Sequence, residues 1–137
     1  AIPIAPQRDD PHTYQAAFDA AAQVLREGDL LAIFPEGGIT ADGRLQPFKG
    51  GIMKIMERAQ GDGLNVTVIP MALTNLWGSF FSRVSDGKAM TRPFRRGFFT
   101  RVGLVGGPPE AAAAVTPEKL QQRVAGLLGP LQKPVQA

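Results

Sequence analysis

Leu30-Leu31-Ala32-Ile33-Phe34-Pro35-Glu36-Gly37-Gly38-Ile39-Thr40 is the stretch on which the reading of this chain turns. Its first five residues are apolar without alternation, the pattern of a strand buried on both faces in the middle of a parallel sheet. The strand then opens into a loop rich in proline and glycine. That loop carries one carboxylate, Glu36, at the strand's C-terminal edge, where open α/β sheets hold their ligands. The 137 residues include no cysteine and one histidine. Disulfides, zinc-thiolate sites and thiol nucleophiles are thereby excluded, and the 34–40 loop becomes the leading candidate for a site.

Outward from that loop, strands and helices alternate. Ile2–Ile4 reads as a short strand. Asp10-Pro11 starts a helix, with aspartate as N-cap and proline at the first helical position. Tyr14, Phe18, Ala21 and Leu25 recur at helical spacing, and Gly28 is placed to end the helix as a left-handed cap. After the loop, Phe48–Ala59 reads as a second helix with Ile52, Ile55, Met56 and Ala59 on one face, stopped by Gly61-Asp62-Gly63. Val66–Leu73 reads as a strand, with Pro70 arguing against a fully paired central position. Residues 75–96 form a basic loop, and Phe98–Val105 alternates as a strand. The alanine run 111–114 reads as a linker. Thr116-Pro117-Glu118 starts a third helix lined by Leu120, Val124, Leu127 and Leu128. The order predicts an α/β fold, a mostly parallel sheet with helices packed on it.

The length favours one domain, residues 1–129, with 130–137 as a loose tail. The chain is 44% apolar and 20% charged, which fits a globular domain rather than a disordered one. No apolar run approaches the ~20 residues of a membrane-spanning helix. The chain starts at Ala1 with Ile2-Pro3-Ile4 already strand-like, so a fragment lacking its N-terminal part is expected.

Two readings of the 34–40 loop stand side by side. In one, it is an ordinary turn with a solvated glutamate. In the other, backbone N–H groups at Gly37 and Gly38 approach an anionic ligand, because glycine has no Cβ to obstruct it. The neighbours favour the second. Phe48-Lys49-Gly50-Gly51 puts Lys49 near the start of the second helix, where free N–H groups favour anions, and Arg44 lies between the two segments.

These residues resemble a known family. Phe34-Pro35-Glu36-Gly37, then Phe48-Lys49-Gly50, then Val68-Ile69-Pro70-Met71 are similar to the third and fourth sequence blocks of the glycerolipid acyltransferases, which act on 1-acylglycerol-3-phosphate and other lysophospholipids. Ala1-Ile2-Pro3-Ile4-Ala5 is similar to the end of their second block, and the likeness covers about residues 1–82. It implies transfer of a fatty acyl group from acyl-CoA or acyl-carrier protein to a lysophospholipid hydroxyl, with no further cofactor and no metal. It also implies acceptor or phosphate binding by Glu36, Gly37, Gly38, Thr40, Arg44 and Lys49, and a cleft shaped by Phe34, Pro35 and Pro70. The family's catalytic histidine, followed after four residues by aspartate, has no match. His12 precedes Asp19 by seven positions, which on one helix separates them by about 10 Å. His12 reads as a solvated first-turn histidine, and the dyad is expected upstream of Ala1, leaving this fragment inactive alone. A non-catalytic lipid- or anion-binding module is the alternative. Arginine, frequent in the family at the positions of Ile39 and near Pro6, is absent from both, so a larger headgroup than a phosphate monoester stays open.

The 77–101 stretch carries Arg83, Lys88, Arg92, Arg95, Arg96 and Arg101 against one acid, Asp86, interleaved with Trp77, Phe80, Phe81, Phe94, Phe98 and Phe99. Cations meet anionic headgroups at about 1 kcal/mol each, and rings sit at headgroup depth. A solvated loop and, more weakly, single-stranded nucleic acid are the competing readings. With the acyl chemistry, the expectation is an anionic membrane surface contacted by Trp77, Phe80, Phe81, Arg83, Arg95 and Arg96, and no nucleic acid. Together with Asn75-Leu76-Trp77, the stretch also resembles versions fused as a cytoplasmic domain to a membrane transporter. The expected location is the cytoplasmic face of the inner membrane, peripheral or tethered.

Overall fold

The computed structural model describes residues 2, 8–38, 44–61, 63–75, 84–85, 88–89 and 102–129. The strand expected at 2–4, Thr40, the membrane residues Trp77, Phe80, Phe81, Arg83, Arg95 and Arg96, and the tail 130–137 lie outside the described residues, apart from Ile2. The chain divides into two compact units. The first comprises residues 1–35, 49–68 and 110–117; the second comprises 36–48, 69–109 and 118–137.

The first unit is built on two helices, α1 (Pro11–Arg26) and α2 (Gly51–Gln60). Asp10 caps α1 as expected: its Oδ1 accepts the Thr13 N–H at 3.0 Å and its Oδ2 accepts the Thr13 hydroxyl at 2.6 Å, with Pro11 at the first helical position. At the other end, Gly28 has φ +82° and its N–H donates to Leu25, while the Asp29 N–H donates to Val24. These two bonds form a Schellman stop, which needs a left-handed residue where glycine stands. Phe18, Ala21 and Ile55 form the buried centre between the helices, with Tyr14, Leu25 and Leu31 partly buried against it. Tyr14 meets Phe18 edge-on, ring centres 4.9 Å apart. Lys54 Nζ donates to the Tyr14 hydroxyl at 3.2 Å and lies 5.0 Å from that ring's centre. Arg58 lies 5.5 Å from the Phe18 ring and bonds Asp19 and Gln15.

The second helix begins at Gly51 rather than Phe48. The Lys49 N–H is spent on the Pro35 carbonyl at 2.8 Å, and the first helical bond runs from Lys54 to Gly50. A short antiparallel ladder completes this unit: β1 (Thr67–Val68) pairs with β6 (Glu110–Ala111). The alanine run expected as a linker is instead structured. Ala111 ends β6 and Ala112–Ala114 form a 3-10 turn, with Ala112 buried and its N–H bonded to Val66.

The second unit contains β2 (Met71–Thr74), β3 (Val84–Ser85), β4 (Lys88–Ala89), β5 (Gly103–Gly106) and α3, Pro117–Leu128, from Glu118 onward. The single strand expected at Val66–Leu73 is broken at Ile69-Pro70 into β1 and β2, because proline has no N–H to give a ladder. β2 pairs antiparallel with β5, Leu73 opposite Leu104 and Thr74 opposite Gly103. β3 and β4 form a hairpin with Ser85 opposite Lys88. Pro70, Ala72 and Thr74 are buried on the inner face, whereas Ile69, Met71, Leu73, Val102 and Leu104 are exposed on the outer one.

The fold is therefore mixed α/β, with three helices and three two-stranded ladders among the described residues. Every described pair is antiparallel, where a mostly parallel sheet was expected. A parallel pair needs a long crossover, usually helical. The described part of the connection from β2 to β5 holds a hairpin instead. The buried central strand expected at Leu30–Phe34 is not found either. It joins no ladder among the described residues, and Leu30 is 98% and Phe34 74% exposed. Two-sided burial requires neighbours on both sides, and no described strand supplies them.

Candidate functional site

In the first unit, Phe34 is exposed and Pro35 half-buried. The Pro35 carbonyl accepts the Lys49 N–H, so the start of the loop is tied to the residue preceding Gly50, the N-cap of α2. Glycine offers no side chain to cap the helix's orphan N–H groups. Lys49 itself is exposed.

In the second unit, the described residues of the 36–48 segment are held by side chains rather than by a ladder. Glu36 Oε2 accepts the Gln46 backbone N–H at 2.8 Å. Gln46 Nε2 donates to the Arg44 carbonyl at 3.3 Å. The Phe48 N–H donates to Gln121 Oε1, on α3, at 3.3 Å. Gly37 follows Glu36 with φ +64°, a left-handed turn that a side chain would strain. The structure thus joins Glu36, at the expected site, to Gln46 and, through it, to the Arg44 backbone. Gln46 and Gln121 had no signal in the sequence. Gln46 meets Glu36 through its main chain, and Gln121 lies 73 positions from its partner.

Pro70 stands elsewhere in the second unit. Its carbonyl accepts the Gly107 N–H at 2.8 Å. With Gly107 and Pro108 it faces Gln122, Arg123, Gly126 and Leu127 of α3 across an open, mostly apolar cavity of about 230 Å³. No described residue of the 36–48 segment lines this cavity.

His12 is exposed in the first turn of α1, and the Asp19 carboxylate is bonded to Arg58 at 2.7 Å. That aspartate is committed to the α1–α2 pair, so the two do not form a histidine–aspartate dyad. Among the described residues no cluster of histidine and carboxylates could hold a metal ion, and no helix is long and apolar enough to cross a membrane.

The family model described as Acyltransferase matches residues 2–74, which include the 34–40 loop, Lys49 and Pro70. No curated protein and no solved structure matches the chain.

Proposed function

The chain belongs to the acyltransferase family, and on that premise we propose that it serves transfer of a fatty acyl group from acyl-CoA or acyl-carrier protein to the hydroxyl of a lysophospholipid such as 1-acylglycerol-3-phosphate. The family match across the loop carries this reading. In the reaction the hydroxyl oxygen attacks the thioester carbonyl, a base takes its proton, the C–O bond forms and the C–S bond breaks, releasing the thiol. On this reading the second unit's loop, with Gly37, Gly38, Thr40 and Arg44, receives the anionic headgroup. An anion there would meet backbone N–H groups and a guanidinium.

The general base is proposed to lie outside residues 1–137, since His12 has no aspartate at the family's spacing. The apolar stretch Leu30–Phe34, which joins no ladder among the described residues and exposes Leu30 and Phe34, is where a parallel sheet of the family's kind would be completed, because apolar surface left in water favours a neighbour. An anionic membrane surface is proposed as the partner. The exposed face of Ile69, Met71, Leu73, Val102 and Leu104 supports it, as does the cationic, aromatic sequence joining β2 to β5.

Full-length protein incubated with labelled acyl-CoA or acyl-carrier protein and lysophospholipid acceptors is expected to yield the diacyl product. Binding of 1-acylglycerol-3-phosphate without turnover would favour the alternative, a non-catalytic lipid-binding module. Ala1–Ala137 alone is expected to give no product; turnover abolished by His12→Ala would overturn the placement of the base.

A further inference from the structure

Among the described residues, Glu36 meets its own loop through one carboxylate oxygen. Oε2 accepts the Gln46 N–H at 2.8 Å, bracketing the residues from Gly37 to Leu45. Gln46 passes the restraint on through its side-chain amide to the Arg44 carbonyl. Gln121 Oε1 holds the Phe48 N–H two residues later. A segment outside any ladder must find side-chain or water partners for its backbone donors, and an ionised carboxylate is a strong acceptor for an N–H. The opposite use of Glu36 is unfavourable. A carboxylate set directly against an anionic headgroup repels it, and the effect grows as water leaves the site.

We propose that Glu36 is a positioning residue: its carboxylate holds the 44–46 segment within one side chain's reach of the Gly37–Gly38 turn, so that Arg44 and the glycine N–H groups meet the acceptor's anionic headgroup while Glu36 does not touch it. The role rests on the acyl-transfer reading above. It separates two residue types that the motif places together, one shaping the site and the others binding in it.

Glu36→Gln and Glu36→Ala in the full-length protein separate the possibilities. Glutamine keeps an oxygen for the Gln46 N–H and loses the charge; alanine loses both. Glu36→Gln is expected to leave the KM for 1-acylglycerol-3-phosphate within about threefold of wild type, and Glu36→Ala to raise it about tenfold or more with kcat changed less. Hydrogen exchange at the Gln46 amide is expected to stay slow in the glutamine variant and to quicken about tenfold or more in the alanine variant. Equal loss of acceptor binding in both variants, with the Gln46 amide still protected in Glu36→Gln, would overturn the proposal, because the charge itself would then be what the acceptor requires. Unchanged Gln46 exchange in Glu36→Ala would overturn it too. If wild type turns over no acyl donor, the acyl-transfer reading fails alone. The dissociation constant of 1-acylglycerol-3-phosphate, read beside Gln46 exchange in the same variants, then tests the positioning role by the same criteria.

Discussion

Gly103 faces Thr74 across the β2·β5 ladder, and a Cβ built on Gly103 would collide with the Thr74 Oγ1. Thr74 is buried, so its side chain has little room to yield. Gly103→Ala is expected to destabilise the protein by about 1–3 kcal/mol through overpacking. Added to Thr74→Ala it should cost far less, and urea melts of the two single variants and the double would reveal that coupling. Additive losses would show that the contact is not what excludes a side chain at 103. The sequence places Gly103 inside a strand, but only the register with Thr74 explains why it is glycine. Glu36 stands in the same position. Its place after an apolar run marks it as a site residue, whereas its Gln46 partner depends on where the chain returns.

At the scale of elements, the helices were the legible part. Asp10, Pro11 and Gly28 act through residues one to four positions away, so α1 could be bounded without knowledge of the rest. The Asp10 carboxyl is held below the ordinary aspartate range, chiefly by the Thr13 hydroxyl and then by the Thr13 N–H. A depressed carboxyl stabilises the fold above its unfolded value, and that contribution is lost as pH falls through the folded value. The cap's contribution is therefore expected to be full at neutral pH and to disappear in acid below the usual aspartate range. Thermal melts of wild type and Asp10→Asn should converge in part as pH is lowered through that window, since asparagine caps without titrating. A difference between them that does not vary with pH would remove the charge from the account. Strands were less legible. Pro70 correctly warned of an interruption, yet β1 and β2 find different partners, β6 and β5, tens of residues away. Alternation names a face; it does not name the neighbour or its direction.

At the scale of the molecule, exposed apolar residues and a basic stretch of sequence meet in chain order. The outer face carries Ile69, Met71, Leu73, Val102 and Leu104, and the segment between β2 and β5 carries six cations from Arg83 to Arg101 against Asp86. Anionic vesicles are expected to retain the protein at low salt and neutral vesicles to retain much less. Replacing Arg95 and Arg96 together by glutamine should weaken partitioning by about 2 kcal/mol, roughly thirtyfold. Equal sedimentation with both vesicle types would count against the membrane surface. The amino-acid sequence alone determined the presence of the three helices, the caps of α1 and the family to which the chain belongs, because each rests on neighbours within a few positions or on short blocks in order. The tertiary structure alone decided the antiparallel pairing, the exposure of Leu30 and Phe34 and the partners of Glu36 and Phe48. Those outcomes depend on which distant backbone donors and acceptors meet, a question of chain return that local pattern does not carry.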